Sequence, residues 1–162
     1  MTTTTDPMAP FDPRRVTQIP RAELDERFRR SAPGPIPAGQ ARGTAIVFPG
    51  SALDRIVAGL IRALIWKGKD FSAATGDLKN LIGPLGMHLI RAKVYQDQSW
   101  FTSGPAIILD YSKTSFVAGM IRDEIRQVGP GVYLGQVYWG KRRIALFMLE
   151  FPVGNPVKSS AP

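Results

Sequence analysis

Cysteine is absent from the 162-residue sequence, and histidine occurs once, as His88. The lack of thiols excludes disulfide bonds, a thiolate nucleophile, and zinc or iron–sulfur centres held by sulfur. A single histidine is too few for a typical transition-metal site, and no acidic loop resembles a calcium site. We therefore expect a protein without a metal ion and without a cofactor.

Motifs for nucleophilic catalysis and nucleotide binding are missing as well. Ser51 lies in the sequence Pro-Gly-Ser-Ala rather than in a G-x-S-x-G elbow, so it is better explained as a helix cap. The glycines of residues 129–131 lack the G-x-G-x-x-G spacing and precede a predicted strand, which indicates a turn. The sequence leaves open whether the protein is an enzyme.

Long apolar runs are also missing. No stretch reaches ~18 continuous apolar residues, the length that a membrane-spanning helix needs. The Thr- and Pro-rich N-terminus lacks the apolar region of a signal peptide. We therefore expect no transmembrane segment and a cytoplasmic location.

Acidic residues are outnumbered by basic ones. Thirteen Asp and Glu oppose 21 Lys and Arg, which gives a formal net charge of +8. Such a charge attracts anionic partners, but the basic residues are scattered, which favours a role in solubility. Residues 66–71 and 138–143 mix basic and aromatic side chains as nucleic-acid-binding loops do. Both segments are short, so nucleic acid is not the expected partner.

The chain divides into three regions. Residues 1–43 are predicted to form a partly disordered N-terminal arm, in which Leu24 and Phe28 pin a short helix over residues 21–30. Residues 44–151 are predicted to form a barrel domain, and residues 152–162 a flexible tail.

Two helices are predicted within the domain from apolar residues at helical spacing. The first spans residues 52–65, with Leu53, Ile56, Val57, Leu60, Ile61, Leu64 and Ile65 on one face. It is followed by an irregular segment over residues 66–71. The second spans residues 115–127, and its apolar stripe comprises Phe116, Val117, Met120, Ile121, Ile125 and Val128.

The remaining segments favour strands separated by turns. The predicted strands cover residues 44–48, 77–82, 87–95 and 106–109, with a polar turn at 96–99, and a hairpin over residues 132–138 and 143–151. This order predicts an α+β fold: a strongly curved antiparallel sheet, or a small lipocalin-like β-barrel, with two amphipathic helices. A barrel of this kind often keeps a cavity.

Polar residues gather around the second predicted helix. We hypothesise that Asp110, Glu124 and Tyr133 converge with Tyr111 at a cavity mouth, where the first three would be catalytic. A partly buried carboxyl group there would have a raised pKa and could act as an acid or a base. The alternative is that Asp110 orients a turn while arginines pair with acids one helical turn away.

A second set of candidates would bind a ligand. Arg91, Lys93 and Tyr95 share one face of a predicted strand. They are either surface residues or cations inside a barrel, where they could hold a ligand carboxylate or enolate. The other candidate ligand-binding residues are Trp100, Ile108, Tyr111 and Phe147.

The segment from Ile108 to Glu150 resembles uncharacterised bacterial proteins with a lipocalin-like, calycin-type small barrel. The likeness rests on the runs Ile-Ile-Leu-Asp-Tyr-Ser, which begins one residue earlier at Ile107, Ile-Arg-Asp-Glu-Ile-Arg and Pro-Gly-Val-Tyr-Leu-Gly. It is also distantly similar to proteins with a G-x-W-x-G motif, whose counterpart here is residues 39–43, with Ala41 in place of the tryptophan. The resemblance implies a small barrel and an apolar ligand, and it brings no catalytic residues.

These observations favour a binding protein for a small apolar or amphipathic molecule, of fatty acid, isoprenoid or polyketide type, that could be anionic. The alternative is an enzyme that uses the same pocket without a cofactor, such as a cyclase, an isomerase or a hydratase. A second alternative is an interaction module that uses the basic surface. The sequence does not fix the oligomeric state.

Overall fold

The structure is a computed structural model, and it describes residues 10–46, 66–72, 75–82, 87–113 and 118–153. A 3-10 helix at Pro13–Gln18 and helix α1 at Arg21–Arg30 precede the first strand. A single 3-10 turn at Ala118–Met120 lies between the fifth and sixth strands. The strands are β1 Gly39–Ile46, β2 Trp66–Ser72, β3 Asp77–Ile82, β4 Met87–Gln98, β5 Pro105–Asp110, β6 Ile121–Gly129, β7 Val132–Trp139 and β8 Arg142–Glu150.

The eight strands form a closed antiparallel barrel. Each strand pairs with the next along the chain, and β8 returns to pair with β1. Closure leaves no strand edge without a partner. The structure confirms the predicted fold class of a small antiparallel barrel with helices.

The interior of the barrel is formed by alternate residues of the strands. Because side chains of a strand point alternately to its two faces, one residue in two faces the barrel axis. Tight turns such as the one at Gly140, where φ is +58°, keep successive strands antiparallel. The buried residues of this barrel core are Ala41, Phe71, Leu78, Ala92, Val94, Ile107, Leu109, Tyr111, Ile125, Tyr133, Phe147 and Leu149.

A second apolar core lies outside the barrel, beneath the N-terminal arm. Leu24 and Phe28 of α1 are fully buried, which confirms the predicted helix and the two residues that pin it. They pack with outward-facing residues of β1, β7 and β8, namely Ile46, Leu134, Leu146 and Met148. The arm therefore covers one wall of the barrel.

The helix predicted over residues 115–127 is wrong. Residues Ile121–Gly129 are strand β6, which pairs with both β5 and β7. The apolar spacing of Ile121, Ile125 and Val128 imitates a helix because β6 is covered on both faces, by the barrel core on one side and by the arm on the other. The turn at residues 129–131 therefore joins two strands rather than ending a helix.

Several strand predictions are confirmed, with corrections at their ends. Strands β3, β5 and the β7–β8 hairpin lie where they were predicted. Strand β4 continues through the predicted turn at 96–99 as far as Gln98, and residues 66–71 belong to β2 rather than to an irregular segment. Strand β1 begins at Gly39 rather than at Thr44. The helix predicted over residues 52–65 lies outside the described residues.

Within the described part of the chain, no helix has the length and apolar character that crossing a bilayer requires.

Candidate ligand site inside the barrel

Lys69 is an ionisable side chain in the interior of the barrel. It lies on β2 two residues before Phe71, so the two side chains point to the same face of the strand. Phe71 belongs to the barrel core, and Lys69 is accordingly buried, with 3% of its surface exposed.

Lys69 contacts two polar side chains from the opposite wall. Its Nζ atom lies 2.5 Å from the hydroxyl oxygen of Tyr111 and 3.1 Å from Oδ2 of Asp123. The Tyr111 hydroxyl donates to the same Oδ2 at 3.2 Å. Tyr111 directly follows β5, and Asp123 lies on β6, where it pairs with Leu109 of β5. We call Lys69, Tyr111 and Asp123 the interior polar cluster.

Burial shifts the proton equilibria of this cluster. Removal from water lowers the pKa of Lys69, and the charge of Asp123 opposes that shift only in part. Burial likewise raises the pKa of Asp123, against the effects of Lys69 and of the Tyr111 hydroxyl. The two shifts bring the proton affinities of amine and carboxylate closer together, which makes proton transfer between them easier.

The other carboxylate oxygen of Asp123, Oδ1, is buried and has no hydrogen-bond partner among the described residues. Buried polar atoms are nearly always paired, and leaving one unpaired costs about 1–3 kcal/mol. Oδ1 is therefore an acceptor that a donor from a bound molecule can satisfy.

The surroundings of the cluster are apolar and aromatic. The Phe147 ring centroid lies 5.3 Å from Nζ of Lys69, and the Tyr111 ring centroid lies 5.2 Å from it. An apolar wall with a few convergent polar groups is the usual composition of a small-molecule site. No group of three or more metal-ligating side chains occurs in the described ranges.

Three of the predicted site residues face the interior: Tyr111, Phe147 and Tyr133. Tyr111 and Phe147 contact Lys69, whereas Tyr133 packs against Phe151 with ring centroids 5.6 Å apart. The Tyr133 hydroxyl donates to the Pro35 carbonyl of the arm at 2.8 Å, and burial raises its pKa. Tyr133 therefore anchors the arm, away from the interior polar cluster.

Arg91, Lys93 and Tyr95 are surface residues, and the alternative that they bind a ligand inside the barrel is wrong. Their neighbours on β4, Ala92 and Val94, belong to the barrel core, and alternation places all three candidates on the outer face. All three are exposed. Arg91 and Lys93 therefore do not point into the interior of the barrel.

The hypothesis that Asp110 and Glu124 converge with Tyr111 and Tyr133 is also wrong. Asp110 lies on the outer face of β5, where it accepts hydrogen bonds from the Ser112 backbone at 2.8 Å and from the Tyr95 hydroxyl at 3.2 Å. Burial disfavours its ionised form, but the hydrogen bonds outweigh this effect and lower its pKa. A lowered pKa is the opposite of what a general acid needs.

Glu124 is fully buried on the outer face of β6, beneath the loop that follows β4. It accepts hydrogen bonds from Ser99 Oγ at 2.7 Å, from the backbone of Trp100 at 2.9 Å and of Phe101 at 3.2 Å, and from Arg122 at 2.8 Å. A carboxylate offers about four acceptor positions, so these bonds saturate it. Glu124 holds the loop.

Ile108 and Trp100 also lie outside the barrel. Ile108 alternates with the core residues Ile107 and Leu109, and its register partners are Tyr95 and Glu124. Trp100 remains 42% exposed, and cations flank its ring: Arg122 at 4.0 Å and Lys141 at 3.7 Å from the centroid. Neither residue lines the interior.

Sequence reasoning missed Lys69 and Asp123 because each fell in a segment that was assigned the wrong structure. A signal was nevertheless present. Lys69 is two residues from Phe71, and Asp123 is two residues from both Ile121 and Ile125, so in a strand each charged residue shares a face with apolar ones. Interpreted as strands, these segments predict an inward-facing Lys and Asp.

No protein-family model matches the chain, and no curated protein matches it. A solved structure described as "Crystal structure of protein from Thermomonospora curvata" superimposes with a TM-score of 0.60 and 24% sequence identity, over 85% of this chain and 93% of that one. At this identity, the similarity shows a shared small-barrel fold.

Proposed function

We propose that the barrel binds a small, mostly apolar molecule whose one polar group contacts the interior polar cluster. The observation that carries this proposal is the buried acceptor Oδ1 of Asp123, which lies in an apolar interior and has no partner among the described residues. The lipocalin-like resemblance of the sequence supports the same function.

The chemistry of the cluster narrows the ligand class. The acceptor oxygen Oδ1 pairs with a hydrogen-bond donor of the ligand, which can be a hydroxyl, an enol or a protonated carboxyl group. The apolar walls favour a ligand whose remaining part is a hydrocarbon. Fatty acids, isoprenoid alcohols and polyketide enols combine the two features.

The test is native mass spectrometry of the protein purified from its host. We expect wild-type protein to carry a co-purifying small molecule, and the double variant Lys69→Met/Asp123→Leu to lose most of it. The double substitution removes both charges of the pair together, and such replacements are often neutral or stabilising. It is therefore expected to fold.

Asp97→Asn is the matched control, because Asp97 is exposed on the outside of the molecule. It should keep the wild-type occupancy. Protein that carries no small molecule from its host and binds none from a panel of fatty acids and isoprenoid alcohols would contradict the proposal.

A second candidate function is catalysis of proton transfer in the same site, as an isomerase, a cyclase or a hydratase. The opposite pKa shifts of Lys69 and Asp123 favour it, because burial brings the proton affinities of two adjacent groups closer together. Incubation of the bound molecule with protein in deuterated water separates the two functions: an isomerase incorporates deuterium at carbon, and a carrier does not.

A further inference from the structure

We infer that Lys69 is a nucleophile that forms an imine with an aldehyde or ketone group of the bound molecule. This inference rests on the proposed function, because the carbonyl compound must enter the barrel. It adds apolar aldehydes and ketones to the ligand class, because the Asp123 carboxyl group, once protonated, offers a hydrogen-bond donor to a carbonyl oxygen.

The arrangement of the interior polar cluster supports this chemistry. Imine formation needs a neutral amine, together with an acid–base group that reaches both the nitrogen and the carbonyl oxygen. Asp123 contacts Nζ through Oδ2 at 3.1 Å, and its Oδ1 has no partner in the described part of the chain. The Tyr111 hydroxyl accepts from Nζ and donates to Oδ2, so it holds the amine and the carboxyl group in one geometry.

The apolar surroundings favour the neutral amine, since burial lowers the pKa of Lys69. Desolvation of a lysine in an apolar site is an established way to make it a nucleophile. Burial of the cluster away from solvent also favours the imine over the free carbonyl compound, because the reaction releases water.

The reaction uses only the amine of Lys69, the carboxyl group of Asp123 and the carbonyl compound. The Nζ lone pair attacks the carbonyl carbon, the C=O π bond breaks, and the oxygen takes the proton of the Asp123 carboxyl group. The carboxylate then removes a proton from nitrogen and gives a neutral carbinolamine. Asp123 returns that proton to the hydroxyl group, water leaves, and the nitrogen lone pair forms C=N. The product is a protonated imine beside the Asp123 carboxylate.

The test traps the imine with a simple probe. Wild-type protein is incubated with decanal and sodium cyanoborohydride at pH 7, and the labelled residue is identified by peptide mapping. We expect a mass increase equal to decanal minus one oxygen atom, with most of the label on Lys69. Lys79 is the internal comparison: it alternates with the core residue Leu78 and therefore lies on the outer face of β3.

Variants separate the nucleophile from its partners. Lys69→Met should abolish most of the labelling by decanal, and the matched control Lys79→Met should keep it. Asp123→Asn should slow the labelling of Lys69 by about 100-fold, the low end of the effect of an acid–base group. Circular dichroism tests whether each variant is folded. Peptide mapping of the wild-type protein tests the inference even if a variant fails to fold.

1-Decanol separates failure of this inference from failure of the proposed function, because it has the same chain but no carbonyl group. Binding of decanol by native mass spectrometry, with no decanal label on Lys69, would overturn the imine and leave the binding function standing. Absence of both would overturn both. Label that is equal on Lys69 and Lys79 would also overturn the inference.

Discussion

Asp123 and Glu124 are consecutive carboxylates on β6, and they face opposite sides of the barrel wall. Glu124 accepts hydrogen bonds on both of its oxygens and holds the loop after β4. Asp123 shares one oxygen with Lys69 and Tyr111. Among the described residues, the carboxylate on the outer face is thus saturated with hydrogen bonds, whereas the one on the inner face keeps an oxygen without a partner.

The buried pair of Lys69 and Asp123 gives the barrel little stability. Taking two charges out of water costs several kcal/mol for each ion, and their attraction repays this only when the geometry is excellent. An apolar pair of similar volume would stabilise the barrel as well or better. A pair that adds little stability is what the proposed binding function predicts for this position.

Tyr138 provides a test of the electrostatics at the level of a single residue. Burial, reinforced by the charge of Glu124, raises its pKa from 10.0 to about 12. Above pH 10 the unfolded chain loses this proton while the folded chain keeps it, so the free energy of unfolding falls as pH rises from 10 to about 12. In Tyr138→Phe this fall should be smaller, as measured by urea unfolding across that range. Parallel wild-type and variant curves would contradict the prediction.

At the level of elements, apolar spacing predicted secondary structure well where one face of an element is covered. Helix α1 and strand β3 lie where their patterns predicted them. The spacing failed on β6, because the arm covers the outer face of this strand and both faces became apolar or paired. A pattern within one segment carries no information about a distant segment that covers it.

The candidate site likewise depends on contacts between segments that are distant in sequence. Lys69 and Asp123 lie 54 positions apart in sequence, and only barrel closure brings them within 3.1 Å. Tyr111 and Phe147 were predicted to bind the ligand, and both contact Lys69. Arg91 and Lys93 could not be assigned to the inner or the outer face, because alternation defines two faces without saying which is inner.

Strand β7 packs closely against a ring of β8. Gly135 pairs with Phe147, and a Cβ atom on Gly135 would overlap the Phe147 ring. Gly135→Ala should therefore lower the free energy of unfolding by about 1–3 kcal/mol, the usual cost of overpacking. Chemical denaturation measures this change.

The double variant Gly135→Ala/Phe147→Leu provides the control for Gly135→Ala, because a smaller side chain at position 147 makes room for the added methyl group. Gly135→Ala should lower the free energy of unfolding much less in the Phe147→Leu background than in wild-type protein. Equal costs in the two backgrounds would show that the ring is not the obstacle.

At the level of the whole molecule, Arg126 ties the arm to the barrel. Its guanidinium donates to the carbonyls of Phe28 and Arg29 at the end of α1, and to that of Ser31 just beyond. It also donates to the carbonyls of Ser103 and Pro105 before and at the start of β5. One side chain thus joins three parts of the fold, each through backbone acceptors.

Arg126→Lys should weaken this connection although it keeps the charge. Lysine is a compact donor that cannot reach the same set of acceptors, so buried carbonyls lose their partners at about 1–3 kcal/mol each. We expect a loss of at least about 2 kcal/mol in the free energy of unfolding. Arg29→Lys, at an exposed position of the same helix end, should change stability little. Equal effects of the two substitutions would contradict this role of Arg126.

The pairing of the first strand with the last has a consequence for the order of events during synthesis. β1 is synthesised before β2 and β8, so its edge toward β8 stays unpaired until β8 has been made. Without residues 142–150 the barrel cannot close, and β1 and β7 each keep an open edge that can pair with other chains. Strand β8 removes this hazard.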